Sequence, residues 1–269
     1  KELLGIKWIA DFRDPWTSIG YHKKLKLTKN SQRKHRELEH RVLNDADRII
    51  VTSKTTKEEF KAITKKPISV ITNGFDSDYL GGVELDTDFT ISHIGSLLSG
   101  RNPVNLWQVL STLIEENEAF KQNFKLQLAG VVSEDVLQRI YDYGLENFTE
   151  LMGYLSHEDA VKLQQRSQVL LLVEIDSDET KGILPGKLYE YMAAKRPILA
   201  IGPKGWEAGQ IISDTKTGTT FDYHSQQSDL KNVILEWFTK YQQNNLKLST
   251  SIIKKYSRRE LTKELSKLL

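Results

Sequence analysis

Apolar residues along this chain fall into short continuous runs separated by stretches with helical spacing, and that alternation predicts a parallel sheet covered by helices. Lys7 to Asp11 reads as a strand that Pro15 prevents from continuing. Ser31 to Ala46 has helical periodicity through Leu38, Val42 and Leu43, Asp47 to Ser53 is a buried strand, and Thr55 to Ile63 is a second helix. Pro67 to Asp76 is a strand closed by Asn73-Gly74. A polar linker from Gly81-Gly82 to Thr87 precedes a second series. It opens with a strand over Asp88 to Ile94 and a helix running to Glu116, with Asn102 as N-cap and Pro103 as first helical residue. Strands follow at Phe124 to Gly130, Glu150 to Tyr154, Gln168 to Glu174, Ile198 to Gly202 and Thr219 to Asp222. Helices are expected over Ser133 to Tyr143, Ser156 to Gln165 with Ser156 as N-cap, Trp206 to Ser213, Gln227 to Gln242 and Ser257 to Leu269. Gln168 to Glu174 is the most continuous apolar run, as a central parallel strand should be.

Composition adds few constraints. With 269 residues and 39% hydrophobic content the chain can bury one or two real cores. No apolar run approaches the roughly 20 residues of a membrane-spanning helix, and no signal peptide is evident at the first residues. The absence of Cys removes thiolate metal sites and disulfides and fits a cytoplasmic protein. A net charge of +2 gives no support to nucleic acid as a partner. Locally, residues 21 to 41 carry eight Lys or Arg against two Glu, with Trp16 and Tyr21 beside them. That run is either a solvated face or a docking surface for anionic lipid or a charged acceptor.

The segment Gly182-Ile183-Leu184-Pro185-Gly186-Lys187-Leu188-Tyr189-Glu190 reads as a tight turn entering a short helix that ends at Arg196-Pro197. Free amides at a helix start suit an anion, and a carboxylate one turn further on suits a sugar diol. The run resembles the sugar-donor signature of family 4 glycosyltransferases of the two-domain GT-B fold, whose pattern is Glu, seven residues, Glu, then Ala-Met-Ala-x-Gly-x-Pro-Val. The resemblance implies that Glu190 holds the nucleotide ribose. It also shows a departure: Gly182 stands where the family has its first Glu, and Glu179 is the candidate to reach the donor sugar instead. Asn73-Gly74-Phe75-Asp76 is similar to the family's junction between domains.

Further residues join this reading. Asp11, Arg13 and Asp14 collect at a strand's carboxyl end, where ligands bind in open parallel sheets; Arg13 and Asp14 alternatively pair with each other. The resemblance implies a cleft-facing, catalytic role for them, since Arg13-Asp14-Pro15-Trp16 is similar to a family pair in that place. Gly95-Ser96 opens a loop leading to Arg101 at a helix start, a near miss to a phosphate-binding Gly-x4-Gly-Lys-Ser/Thr loop, which Arg101 and Asn102 exclude. In the family this loop carries two basic residues for the diphosphate; Arg101 takes one place, Ser96 replaces the other, and Lys187 is the candidate substitute. Tyr154 either packs on the base or is an ordinary packed aromatic. Asp176-Ser-Asp178 has the spacing of a metal-binding Asp-x-Asp, but Asp76-Ser-Asp78 and Asp86-Thr-Asp88 repeat it in loops, so no metal is expected.

The expectation is an α/β chain of GT-B type, with one complete Rossmann-like parallel-sheet domain and the remnant of a second. Residues 1–72 would be the end of an acceptor-side domain lacking about 100 residues before Lys1, 73–250 the nucleotide-sugar-binding domain, and 251–269 a helix returning to the first segment. The resemblance implies a transferase, retaining at the anomeric carbon, that moves a sugar from a UDP- or GDP-linked donor to a polysaccharide or lipid-linked acceptor of the cell envelope, without a cofactor. An epimerase of the same fold and a noncatalytic nucleotide-sugar-binding module are the alternatives.

Overall fold

The computed structural model describes residues 5–20, 22, 25–76, 82–248 and 252–269. Tyr21, Lys23 and Lys24 of the basic run, Ser77, Asp78, Gly81 of the linker, and Thr250 and Ser251 at the expected tail boundary lie outside the described residues. Two parallel sheets organise the rest. The smaller contains β1 (Ile9–Phe12), β2 (Arg48–Val51) and β3 (Ile68–Val70) in that order. Its helices are α1 (Lys29–Asp45) and α2 (Lys54–Lys61), which bury Leu43 and Phe60 against Ile49, Val51 and Ile68. The α1 helix starts two residues before Ser31 because the Thr28 hydroxyl caps it, accepting from Ser31 N at 3.2 Å. Glu39, buried on α1, accepts from Thr17 N and Oγ1 at 2.8 and 2.6 Å and so fixes the chain leaving β1.

The larger sheet has six parallel strands: β4 (Phe89–Ile94), β5 (Phe124–Ala129), β6 (Thr149–Gly153), β7 (Val169–Val173), β8 (Ile198–Gly202) and β9 (Gly218–Asp222). Their order is β6-β5-β4-β7-β8-β9, so the chain starts in the middle, winds to one edge, returns to the centre and winds to the other. Every residue of β4, β7 and β8 is buried; β7 and β8 are accordingly continuous apolar runs, whereas β4 also buries Thr90, Ser92 and His93, each hydrogen-bonded, and the edge strand β6 leaves Glu150 and Leu151 exposed.

One face of this sheet is covered by α3 (Val104–Glu116), α4 (Glu118–Asn123), α5 (Glu134–Asp142) and α9 (Gln227–Gln242), with Trp107, Leu110, Ile140 and Phe238 packed on Phe89, Leu126 and Leu171. The other is covered by α6 (His157–Arg166), α7 (Gly186–Ala193) and α8 (Glu207–Thr215), with Leu163, Leu188, Met192 and Ile212 on Leu170, Leu172 and Ala200. Each such burial contributes about 1.5–3 kcal/mol, which locks the helices to the sheet. The tail passes through a 3₁₀ turn at Ile252–Tyr256 into α10 (Arg258–Ser266). Phe75 N donates to Tyr256 O and Arg258 N to Phe75 O, at 3.1 and 3.0 Å, so the tail is tied to the segment joining the two sheets.

Two expectations are corrected here. Asn102 does not cap α3, which begins at Val104 without a side-chain cap; its Oδ1 accepts the buried Trp107 indole N–H at 2.8 Å, since a buried indole needs an acceptor. The α4 helix was not expected, because in this single helical turn and a half only Phe120 is buried.

Candidate active site

The order of the larger sheet makes β4 and β7 neighbours whose outgoing connections run in opposite directions, and this leaves a crevice beyond their carboxyl ends. Four groups meet there. Gly95 and Ser96 turn away from β4, with Gly95 at φ +113°, a conformation that excludes a side chain. Gly130 approaches so closely that a Cβ on it would lie 2.8 Å from the Gly95 carbonyl group. Glu174 follows β7, 1% exposed, and its Oε1 accepts from Arg101 Nε and Nη2 at 3.1 and 2.9 Å and from Ile175 N at 2.8 Å. Lys187 enters from the first turn of α7 and donates to Ile94 O at 3.1 Å, while its Nζ lies 3.2 Å from His93 Nε2. Glu190, one turn further along α7, accepts from Gln164 Nε2 at 2.9 Å.

The electrostatics follow from burial. Lys187 is lowered to about 8, first by desolvation and then by the Arg101 guanidinium, with Glu174 and Glu190 acting in the opposite sense. His93 is fully buried and pushed well below its ordinary value, again by desolvation first and the Lys187 ammonium second, so its imidazole is neutral. Its Nδ1 lies 2.9 Å from Leu171 O. A carbonyl only accepts, so a proton on Nδ1 satisfies Leu171 O and leaves Nε2 to accept from Lys187, in a ring that the Ser96 backbone also approaches. The Tyr191 hydroxyl, buried beneath α7, accepts from Ile94 N at 2.9 Å and ties that helix to the end of β4.

Glu190 also lines a cleft of about 550 Å³ whose other walls include Arg13 after β1, Asn73 and Gly74 between the sheets, Gly186 of α7, and Arg258 of α10. A smaller recess beside Arg13 and Asp14 is closed by Thr55 and by Glu179, Gly182, Ile183 and Leu184. The sequence-selected residues therefore form two groups. Gly95, Ser96, Arg101 and Lys187 gather at the crevice, and Arg13, Asp14, Glu179 and Gly182–Leu184 face each other across the two sheets, while Glu190 links them, close enough to Lys187 to bear on its charge and open to the larger cleft that Arg13 also lines.

Several details differ from expectation. Arg13 pairs with Asp11, at 2.8 Å, and not with Asp14. Tyr154 is 93% exposed, which removes the reading of a packed strand-end aromatic. Arg101 is bound to Glu174, so a diphosphate there would share a guanidinium already engaged. Gly182 has no room for a side chain, because a Cβ would lie 2.7 Å from Thr55 Cβ. Ile183 is fixed by its carbonyl, which accepts from Trp206 Nε1 at 2.8 Å, and Leu184 is buried. Asp176 and Asp178 turn to different partners, His224 at 3.5 Å and Lys181 at 2.5 Å. Among the described residues, no group of three or more His, Cys, Asp or Glu side chains is placed to hold a metal. Sequence reasoning missed Glu174, His93, Gln164 and Arg258. Only Glu174 carried a signal, as an acid closing the most apolar strand.

Comparison with known proteins gives a consistent result. The family described as glycosyl transferases group 1 matches residues 82–258, and the one described as Glycosyltransferase Family 4 matches residues 3–79. No curated protein sequence matches the chain. Among solved structures, HepE of Anabaena in complex with UDP is similar over 97% of this chain and 71% of its own, at 14% identity and a TM-score of 0.68. S. aureus TarM, in complex with UDP, fondaparinux and α-GlcNAc-glycerol, is similar over 87% of this chain at 19% identity and a TM-score of 0.60. The chain spans 46% of TarM. WaaG, a glycosyltransferase involved in lipopolysaccharide biosynthesis, is similar over 94% of this chain and 73% of its own, at 13% identity and a TM-score of 0.60. These likenesses show the fold, which is that of GT-B glycosyltransferases, as the signature around Glu190 implied.

Proposed function

The chain belongs to the glycosyl transferases group 1, and from that premise we propose that its crevice binds the diphosphate of a UDP- or GDP-linked sugar for transfer to a saccharide or lipid-linked acceptor. What supports the reading most is that Arg101 and Glu190 both bear on the charge of Lys187, whose amine lies against the Gly95 turn after β4, so two cations and an acid share one neighbourhood. In the proposed mechanism Glu190 accepts hydrogen bonds from the ribose diol. Arg101, Lys187 and the amides around Gly95–Ser96 neutralise the diphosphate as it leaves the anomeric carbon. Charge develops on that leaving group, so donors already in place stabilise the transition state more than the ground state. Transfer with retention and without a metal cofactor completes the proposal. Arg13 and Asp14 face the sugar from across the cleft, and Asp11 orients Arg13. UDP-bearing structures of this fold, HepE and TarM among them, make a nucleoside diphosphate the first ligand to test.

Thermal-shift screening against nucleoside diphosphates tests this reading, because a ligand that binds only the folded form raises its melting temperature. UDP or GDP is expected to raise it and the matching nucleoside is not; no shift with any nucleoside diphosphate would sink the reading. A second reading, a module that binds the nucleotide sugar without transferring it, is favoured by Gly182, where Thr55 leaves no space for the family's acidic contact. Labelled product formed on an added saccharide acceptor excludes it. We place the protein in the cytoplasm, with peripheral contact to anionic membrane through residues 21–41, of which Lys29, Arg33, Lys34 and Arg36 are exposed. Failure to cosediment with anionic vesicles at low salt rules that contact out. No helix among the described residues is long and apolar enough to cross a membrane.

A further inference from the structure

His93 lies in the middle of the larger sheet, with no exposed surface, and the mechanism above gives it no task. A buried imidazole is costly unless both nitrogens are satisfied. Here Nδ1 donates to Leu171 O on the neighbouring strand, at 2.9 Å, and Nε2 faces Lys187 Nζ at 3.2 Å. The two strands thus hold the ring rigidly behind the Gly95 turn. An ammonium group has three hydrogens, and Ile94 O and His93 Nε2 account for two of those on Lys187. The remaining hydrogen is directed by the other two.

We propose that His93 is a positioning residue: its neutral ring, anchored on Leu171 O, accepts from Lys187 and so aims the free hydrogen of the amine at a nucleoside diphosphate lying over Gly95–Ser96. The inference rests on the function proposed above and adds a residue that no signature motif contains. The charged groups facing Lys187 are Arg101, Glu174 and Glu190, from the loop before α3, the end of β7 and α7 itself. A dianionic ligand entering this set favours the ammonium form. Since Lys187 titrates at about 8, binding near that pH takes up a fraction of a proton.

The experiment has two arms on the full chain. In the first, long-range ¹H–¹⁵N correlation spectra of the unliganded protein report the His93 tautomer. We expect the Nδ1–H form, persisting to pH 5, with the Nε2 resonance moved by Lys187→Met. An Nε2–H tautomer, or no response to Lys187→Met, overturns the positioning role whether or not UDP binds. In the second arm, calorimetry with UDP at pH 8 in buffers of different ionisation enthalpy counts protons taken up. His93→Asn keeps the Leu171 bond and loses the reach to Lys187; it is expected to weaken UDP five- to twentyfold and abolish proton uptake. His93→Gln, whose carbonyl reaches the Nε2 position, is expected to recover most of both. Equal losses in the two variants mean a structural role only and overturn the proposal. Absence of UDP binding in the unsubstituted chain, with the expected tautomer present, overturns the functional reading and with it the ligand named here.

Discussion

Lys187 shows how one residue's surroundings set its chemistry. Burial takes it from its ordinary 10.5 to about 8, so the unfolded chain holds that proton more tightly than the folded one. A base with a depressed folded value destabilises the fold at neutral pH, and the penalty fades as pH rises from 8 toward 10.5. Chemical denaturation at several pH values should therefore give stability rising through that window by up to roughly 1 kcal/mol per pH unit relative to Lys187→Met. Parallel curves for the two proteins would contradict the shift. Glu190 makes a different contribution, as an acceptor for a neutral diol. Glu190→Ala should weaken UDP or GDP by about 1–3 kcal/mol, the usual loss for a charge-assisted contact; unchanged affinity by calorimetry would remove it from the site. Both residues were legible in the sequence because they sit in one contiguous signature. The pairings of His93 with Lys187 and of Glu174 with Arg101 were not, because the partners lie 94 and 73 positions apart and only the sheet brings them together.

At the scale of elements, the buried strands were the most legible parts, since a strand covered on both faces must be apolar throughout, as Val169–Val173 is. Short helices and caps were less so. The Asn102 side chain was claimed by the Trp107 indole, a preference no local pattern displays. Lys195, in the place the family signature gives to Gly, ends α7 with φ 57°, a left-handed turn that sequence rules assign to Gly or Asn. The turn after β4 depends on glycine more strictly. Gly130 has φ +115° and packs on the Gly95 carbonyl, so Gly130→Ala should cost about 2 kcal/mol or more and displace the turn over which the diphosphate is proposed to lie. The expected signature is a lower melting temperature together with weaker UDP binding; a variant as stable and as tightly binding as the parent would refute the role of this contact.

For the molecule as a whole, the two sheets are held together at the first turn of α2. Lys54 N, Thr55 N and Thr55 Oγ1 all donate to the Glu207 carboxylate, at 2.7, 3.0 and 2.9 Å, which places an anion at a helix N-terminus. Thr55 also rests on Gly182, so the same turn shapes the loop beside the cleft. Glu207→Ala should leave these amides unpaired, cost about 1–3 kcal/mol and speed hydrogen exchange at Lys54 and Thr55 at least tenfold; unaltered exchange would show that the sheets are joined elsewhere. Whether the crevice between β4 and β7 holds a nucleoside diphosphate is answered by a crystal structure of the chain with UDP. The diphosphate should lie over Gly95–Ser96 within hydrogen-bond distance of Lys187 and Arg101, with the ribose hydroxyls on the Glu190 carboxylate. UDP found away from that crevice, or bound there with its ribose turned from Glu190, would contradict the account.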